Sequence, residues 1–280
     1  MSSAGRKDFQ GQPAVALRAP DGATAVVLLH GAHLVSWVPA GGEEQLYLSP
    51  TTRYGDGQSV RGGVPVIFPQ FSGRGPLPRH GFARNRAWAL AEAVVRGPHA
   101  QAVLRLAADD ATRAIWPQDF EAELTISVGG RQLDIELAIA NTGATPFAFT
   151  CALHTYLRAA DVLKLQLEGL QGAAYEDHTQ GGEAGQQWGD VLTVVGEIDR
   201  VYHGVAGALT LRDLGRRLRI ESQRFDDVVV WNPGPVKCAA FSDMPAADWQ
   251  RMICVEAAQA VVPVRLAPGS EWSAMQTLIL

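Results

Sequence analysis

The residues most capable of chemistry lie in the run Arg79-His80-Gly81-Phe82-Ala83-Arg84-Asn85-Arg86, which holds a histidine and three arginines. Arginine offers a fork of donors matched to phosphate or carboxylate oxygens, and glycine lets backbone approach closely. A histidine beside such a fork can titrate near neutral pH. Arg61-Gly62-Gly63 upstream puts a further guanidinium next to flexible backbone. Together these residues point to a small anionic ligand held beside an acid/base group.

Three more segments carry candidate chemistry. As a strand, Phe147 to Tyr156 sends Phe147, Phe149, Cys151 and Leu153 to one face, leaving Thr150, His154 and Tyr156 to share the other. His154 then lines a cleft, or else it is a half-exposed histidine on a solvated face. In Trp249 to Ala258, Glu256 ends an apolar run that includes Ile253 and Val255. Apolar surroundings raise a carboxylate's pKa, as a general base near neutrality requires; the alternative is an edge carboxylate paired with an arginine. In Glu197 to Tyr202, Asp199-Arg200 is a local ion pair of little energy, or Asp199 accepts hydrogen bonds from ligand hydroxyls.

The elements that must position these groups are predicted to be strands. Leu124, Ile126 and Val128 alternate with polar residues, Gly129-Gly130 follows, and Leu133, Ile135, Leu137 and Ile139 alternate again, a hairpin signal. Leu209 and Leu211, a turn at Gly215, then Leu218 and Ile220 repeat it. Strands are also expected at Ala14 to Leu17, Val26 to Leu29, Val103 to Leu106, Leu163 to Leu167, Val228 to Trp231, Val261 to Leu266 and Ser273 to Leu280. Asp109 to Ile115 and Pro245 to Met252 read as short helices, the second capped by Ser242 or Asp243. Gly181 to Gly185 reads as a long mobile loop. With no βαβ rhythm and no biased linker, an all-β, mostly antiparallel sandwich or barrel follows, as one domain over 1–280 with 1–12 a flexible or edge segment.

Composition narrows the function classes. Hydrophobic residues make up 47% and charged residues 19%, which is globular and not disordered. A net charge of -5 argues against a general nucleic-acid or membrane-surface binder. Cys151, Cys238 and Cys254 are widely spaced and imply no disulfide framework, hence a reducing compartment. Without an apolar leader behind Met1, or an apolar stretch of about 20 residues, a cytoplasmic protein is expected.

Arg61-Gly62-Gly63-Val64-Pro65-Val66-Ile67-Phe68-Pro69-Gln70-Phe71, Pro78 to Arg84, Leu153-His154-Thr155-Tyr156, Asp199-Arg200-Val201-Tyr202 and Ile253-Cys254-Val255-Glu256 occur in an order that resembles the hexose-6-phosphate mutarotases. These are the glucose-6-phosphate 1-epimerases of the aldose 1-epimerase superfamily. Gly31 to Trp37 and Asp226 to Pro233 look like the same family, so the likeness runs from about Ala14 to Leu280. The resemblance implies a galactose-mutarotase-like β-supersandwich with a sugar site on a concave sheet face. It further implies His154 as general acid, Glu256 as general base, Arg61 and Arg84 at the phosphate, and Asp199 at sugar hydroxyls. His80 belongs to the same substrate-binding loop. Arg79 stands where family members often carry Gln, as a third phosphate ligand or turned outward.

That reading expects a small sugar phosphate as the partner of a monomer, with no metal, cofactor, nucleic acid or membrane. Alternatives are a non-catalytic carbohydrate binder, an epimerase of unphosphorylated aldoses, and a metal-dependent cupin-like enzyme built on His30, His33, His80 and His154. The three cysteines are expected to pack. Trp37 and Trp231 are the aromatics that could stack on a sugar.

Overall fold

A computed structural model describes residues 2–55 and 57–280. Its strands form three sheets, antiparallel in every strand pairing among the described residues. Ser3–Phe9, Gln12–Arg18, Thr24–Leu28 and His33–Val38 make a meander in that order. A nine-stranded sheet has the long central strands Glu271–Ile279, Gln132–Asn141, Phe120–Gly129 and His99–Ala107. Inward-outward alternation of buried residues from Phe120 to Val128 and along Gln132–Asn141 matches their period-two sequences. The hairpin expected at Gly215 turns on Leu214 and Gly215, both with positive φ, as a type I′ turn requires.

The third sheet positions the site. Its order is Glu183–Gln186, Ala174–Asp177, Ile198–His203, Asp227–Asn232, Met252–Leu266, Phe147–Leu153 and Val66–Ile67, and Tyr156–Arg158 also pairs with Met252–Leu266. One face packs into a core shared with the other two sheets. In that core Phe68, Phe82, Trp116, Phe120, Phe147 and Phe149 meet edge-on or tilted, the geometry ring quadrupoles favour.

Several elements depart from the sequence expectation. Pro245 to Met252 is not a helix of that length: only Asp248–Arg251 makes a 3-10 turn, and Met252 starts a strand. Met252 and Ile253 pair with Tyr156–Arg158, Val255 with Asp227–Asn232 and Cys254 with both, and this strand pairing outweighs local helix preference. The apolar run that Glu256 was read as ending and the strand expected at Val261 to Leu266 are one continuous strand, so Glu256 lies within it and not at its end. Leu163 to Leu167 divides into a 3-10 turn, Val162–Lys164, and a strand, Gln166–Glu168. Gly181 to Gly185 is a turn entering the edge strand Glu183–Gln186. The strand from Phe147 stops at Leu153, and His154 and Thr155 form a break before Tyr156–Arg158. The expected helix near Asp109 is Asp110–Arg113, closed by a capping box between Asp109 and Thr112. Gly234–Ala239 is a helix the sequence concealed, because its Gly-Pro start reads as a turn although Pro is tolerated in a first helical turn.

Candidate active site

His154 and Glu256 reach each other by different routes. Glu256 sits opposite Val229 on the central strand, while His154 occupies the break after Phe147–Leu153, its backbone N–H donating to the Pro65 carbonyl at 3.0 Å. Behind them a buried relay ties the strands together. Thr155 Oγ1 donates to Gln276 Oε1 (2.5 Å), and Gln276 Nε2 donates to the Val255 carbonyl (3.1 Å). The outcome is His154 Nε2 at 3.2 Å from Glu256 Oε1, with Glu256 2% exposed. His154 Nδ1 and Glu256 Oε2 are buried without a partner among the described residues.

The loop from Phe68 to Arg86 divides its labour by residue type. Phe82 is driven into the aromatic core, and its N–H and that of Ala83 both donate to the Phe68 carbonyl. Gly81 has φ of 68° and its Cα lies so close to Phe68 backbone that any Cβ would clash. With Gly81 and Phe82 fixed inside, His80 and Arg84 face the opposite way, into a cleft. His80 Nδ1 accepts from the Ser72 N–H (3.3 Å), which leaves Nε2–H as its free donor. Arg84 Nη2 donates to the Arg79 carbonyl (3.3 Å), while its Nε is buried and unpartnered among the described residues.

Arg61 is held by Asp243, with Nε and Nη2 each 3.2 Å from Oδ2, and by the Tyr156 hydroxyl, to which Nη1 donates at 3.3 Å. Its guanidinium lies over the Phe241 ring. Asp243, expected as a helix cap, instead neutralises this arginine. Asp199 lies across from Trp231 and does not pair with Arg200, whose partner is Asp177 on the other face of the strand.

All seven residues proposed from the sequence, Arg61, Arg79, His80, Arg84, His154, Asp199 and Glu256, line one cleft of about 570 Å³. Tyr156, Trp231, Phe241, His178 and Lys237 are among the other residues that line it. Trp231 had been singled out for stacking, and Trp37 is instead fully buried in the core. Lys237 and Phe241 went unrecognised: they lie on and just after the concealed helix, and no local pattern marks them. His30 and His33 stay outside the cleft, their Nε2 atoms bonded to the carbonyls of Gln58 (3.1 Å) and Gly62 (2.7 Å).

Burial dominates the electrostatics. It raises Glu256 well above the usual carboxylate range, with nearby Asp199 adding to the effect and Arg84 opposing it. It also lowers His154 well below an ordinary imidazole, assisted by His80 and Arg84, and takes His80 to about 3, with Arg84 and Arg79 contributing. Asp199 is likewise raised, chiefly by burial. Cys254 offers a sulfur within 4.8 Å of donor atoms on His154 and Glu256. Burial, with Glu256 adding to the effect, raises that thiol well above its usual range.

These shifts predict how stability follows pH. Burial also holds His33 at about 4. From about pH 4 to 6.5 the unfolded chain binds protons at His33, His80 and His154 that the native chain does not, so stability rises with pH there. Glu256 and Asp199 act in the opposite sense, contributing stability at low pH that is lost as pH rises through their raised folded pKa values. Three imidazoles against two carboxyls give a net rise. Urea midpoints should therefore be higher at pH 7 than at pH 4.5, and His33→Gln should flatten the slope. A pH-independent midpoint would contradict this.

The His154–Glu256 pair thus lies in a cleft that Arg61, Arg79, Arg84 and Lys237 also line. A family model for aldose 1-epimerase matches residues 13–278, and the chain belongs to that family. A Cenchrus ciliaris protein named as a candidate glucose-6-phosphate 1-epimerase is 33% identical over 278 residues, covering 95% of this chain and 84% of the relative. A Salmonella typhimurium relative with the same name is 35% identical, covering 84% and 79% respectively. The crystal structure of a candidate mutarotase, YeaD from Salmonella typhimurium, superposes with a TM-score of 0.91 at 31% identity, covering 99% and 92%. A galactose mutarotase-like protein from Clostridium acetobutylicum shares the fold at 13% identity, with a TM-score of 0.76 and coverage of 99% and 98%.

Proposed function

We propose that this protein interconverts the α and β anomers of a hexose 6-phosphate, glucose 6-phosphate foremost. The observation that carries the reading is the 3.2 Å approach of His154 Nε2 to Glu256 Oε1 beneath three arginines. The names of the curated relatives point the same way.

The pair shares one transferable proton, with two arrangements. With imidazolium and carboxylate, Glu256 takes the proton from the C1 hydroxyl while His154 protonates the ring oxygen, and the pyranose opens. The pair is then neutral imidazole and carboxylic acid, the arrangement that burial favours in both groups. The aldehyde rotates about C1–C2. His154 next removes the C5 hydroxyl proton as that oxygen attacks C1, and Glu256 returns a proton to O1. The first arrangement is restored, so no external proton is consumed. Each group is worth about 10²–10⁴-fold by ordinary acid–base magnitudes.

Arg84 and Arg61 grip the phosphate, with Arg79 on the exposed rim as a third ligand, so the sugar is positioned from a point remote from C1. Asp199 accepts from ring hydroxyls, and neutral His80 donates to one through Nε2–H. Three buried free thiols suit a reducing cytoplasm, and the protein acts as a monomer.

A panel of glucose, mannose and galactose 6-phosphates beside the free sugars tests the substrate. Phosphorylated sugars should exceed free ones in kcat/KM by at least about 10-fold. Equal values would favour an epimerase of unphosphorylated aldoses, and no turnover on any would favour a binder. His154→Asn should remove the acid, and the parent enzyme's kcat should fall at both low and high pH, since one shared proton is required. A flat profile from about pH 5 to 9, or an active His154→Asn variant, would move the acid role to His80.

A further inference from the structure

Histidines that do acid–base work are usually oriented by a hydrogen bond at the second ring nitrogen. Here His154 Nδ1 is buried and has none among the described residues. The ring is instead gripped by aromatic faces. Tyr156 stacks on it at a centroid separation of 4.8 Å and an interplanar angle of 14°. Trp231 meets His154 edge-on at 6.1 Å and Tyr156 edge-on at 6.0 Å.

Tyr156 is itself immobilised on three sides. Its backbone N–H donates to the Gly63 carbonyl, and its carbonyl accepts from the Tyr47 N–H. Its side chain is nearly fully buried, and its hydroxyl receives the hydrogen bond from Arg61 Nη1. The same plate therefore touches the catalytic imidazole with its face and a phosphate-gripping guanidinium with its hydroxyl. Arg61 also divides its donors between that hydroxyl and Asp243, so a dianion arriving at Arg61 must redistribute them.

We infer that Tyr156 is a positioning residue that couples phosphate occupancy at Arg61 to the orientation of His154. The inference rests on the hexose-phosphate reading above. In this arrangement the dianion does more than hold the sugar. By changing what Arg61 asks of the Tyr156 hydroxyl, it sets the plate on which the acid is stacked, and part of the phosphate interaction appears in kcat and not in KM. Ligand couplings of this kind commonly amount to about 5- to 150-fold.

The test uses a substrate cut in two. D-xylose lacks C6 and its phosphate, and phosphite dianion supplies the missing charge. Anomer exchange of xylose is followed by NMR with and without phosphite, for the wild type, Tyr156→Phe and Tyr156→Leu. Phosphite should accelerate the wild type at least about 10-fold. Tyr156→Phe keeps the plate and removes the hydroxyl. It should lose most of the phosphite activation and show a lower kcat on glucose 6-phosphate with KM changed less than about twofold. Tyr156→Leu should slow xylose itself and shift the pH profile, because the imidazole has lost its stacking partner. Full phosphite activation in Tyr156→Phe overturns the coupling, as does a wild type active on glucose 6-phosphate but unmoved by phosphite. Failure of the wild type to exchange glucose 6-phosphate at all would instead overturn the functional reading beneath it.

Discussion

Glu256→Gln is expected to lower kcat for glucose 6-phosphate anomer exchange by about 10²–10⁴-fold, with KM changed less than about threefold. The substitution keeps the shape of the side chain and a hydrogen-bonding partner for His154 at 3.2 Å, and removes only basicity. Glu256 is buried and raised well above the carboxylate range, so its environment makes it a stronger base than a surface carboxylate without changing what it touches. Because the amide can neither take the C1 proton nor return it, the loss belongs to the chemical step. It should be the same for free and phosphorylated sugars. A variant with near wild-type kcat would assign the base elsewhere, with Asp199, also raised by burial, as the next candidate.

Arg84→Ala should raise KM for glucose 6-phosphate by about 10- to 100-fold, since charge-assisted hydrogen bonds contribute roughly 1.5–3 kcal/mol each. Arg84 suits this experiment because it is so little engaged otherwise. Among the described residues its one side-chain hydrogen bond is to the Arg79 carbonyl, and its Nε is buried without a partner. Arg61→Ala should act in the same direction but more disruptively, because it leaves Asp243 without its cation and Tyr156 without its donor. Arg79→Gln should have a milder effect of the same sign. On free glucose all three should change little. Equal losses on glucose and glucose 6-phosphate would mean the arginines support the loop and do not read the phosphate.

The cleft was legible where function and local pattern coincide. The Arg79 to Arg86 run is readable because one loop carries both its anchors, Gly81 and Phe82, and its cleft-facing groups, His80 and Arg84. Period-two alternation likewise placed His154 and Tyr156 on a common face, although the strand breaks between Leu153 and Tyr156. Pairwise geometry was not legible. That Asp243 should meet Arg61, or that Tyr156 should stack on His154 while bonding Arg61, depends on where separate strands and loops converge. Local preference misled where pairing decided the outcome. Pro245 to Met252 has helical composition, yet Met252 onward is claimed by two neighbouring strands. The helix Gly234–Ala239 was hidden for the converse reason, its Gly and Pro being breakers everywhere except at a helix start.

The most direct test of the account is the optical rotation of freshly dissolved α-glucose 6-phosphate as it relaxes to equilibrium. The wild type should speed that relaxation in proportion to its concentration, with free glucose accelerated far less and Glu256→Gln close to the buffer rate. Relaxation at the buffer rate with folded wild-type protein present would contradict it.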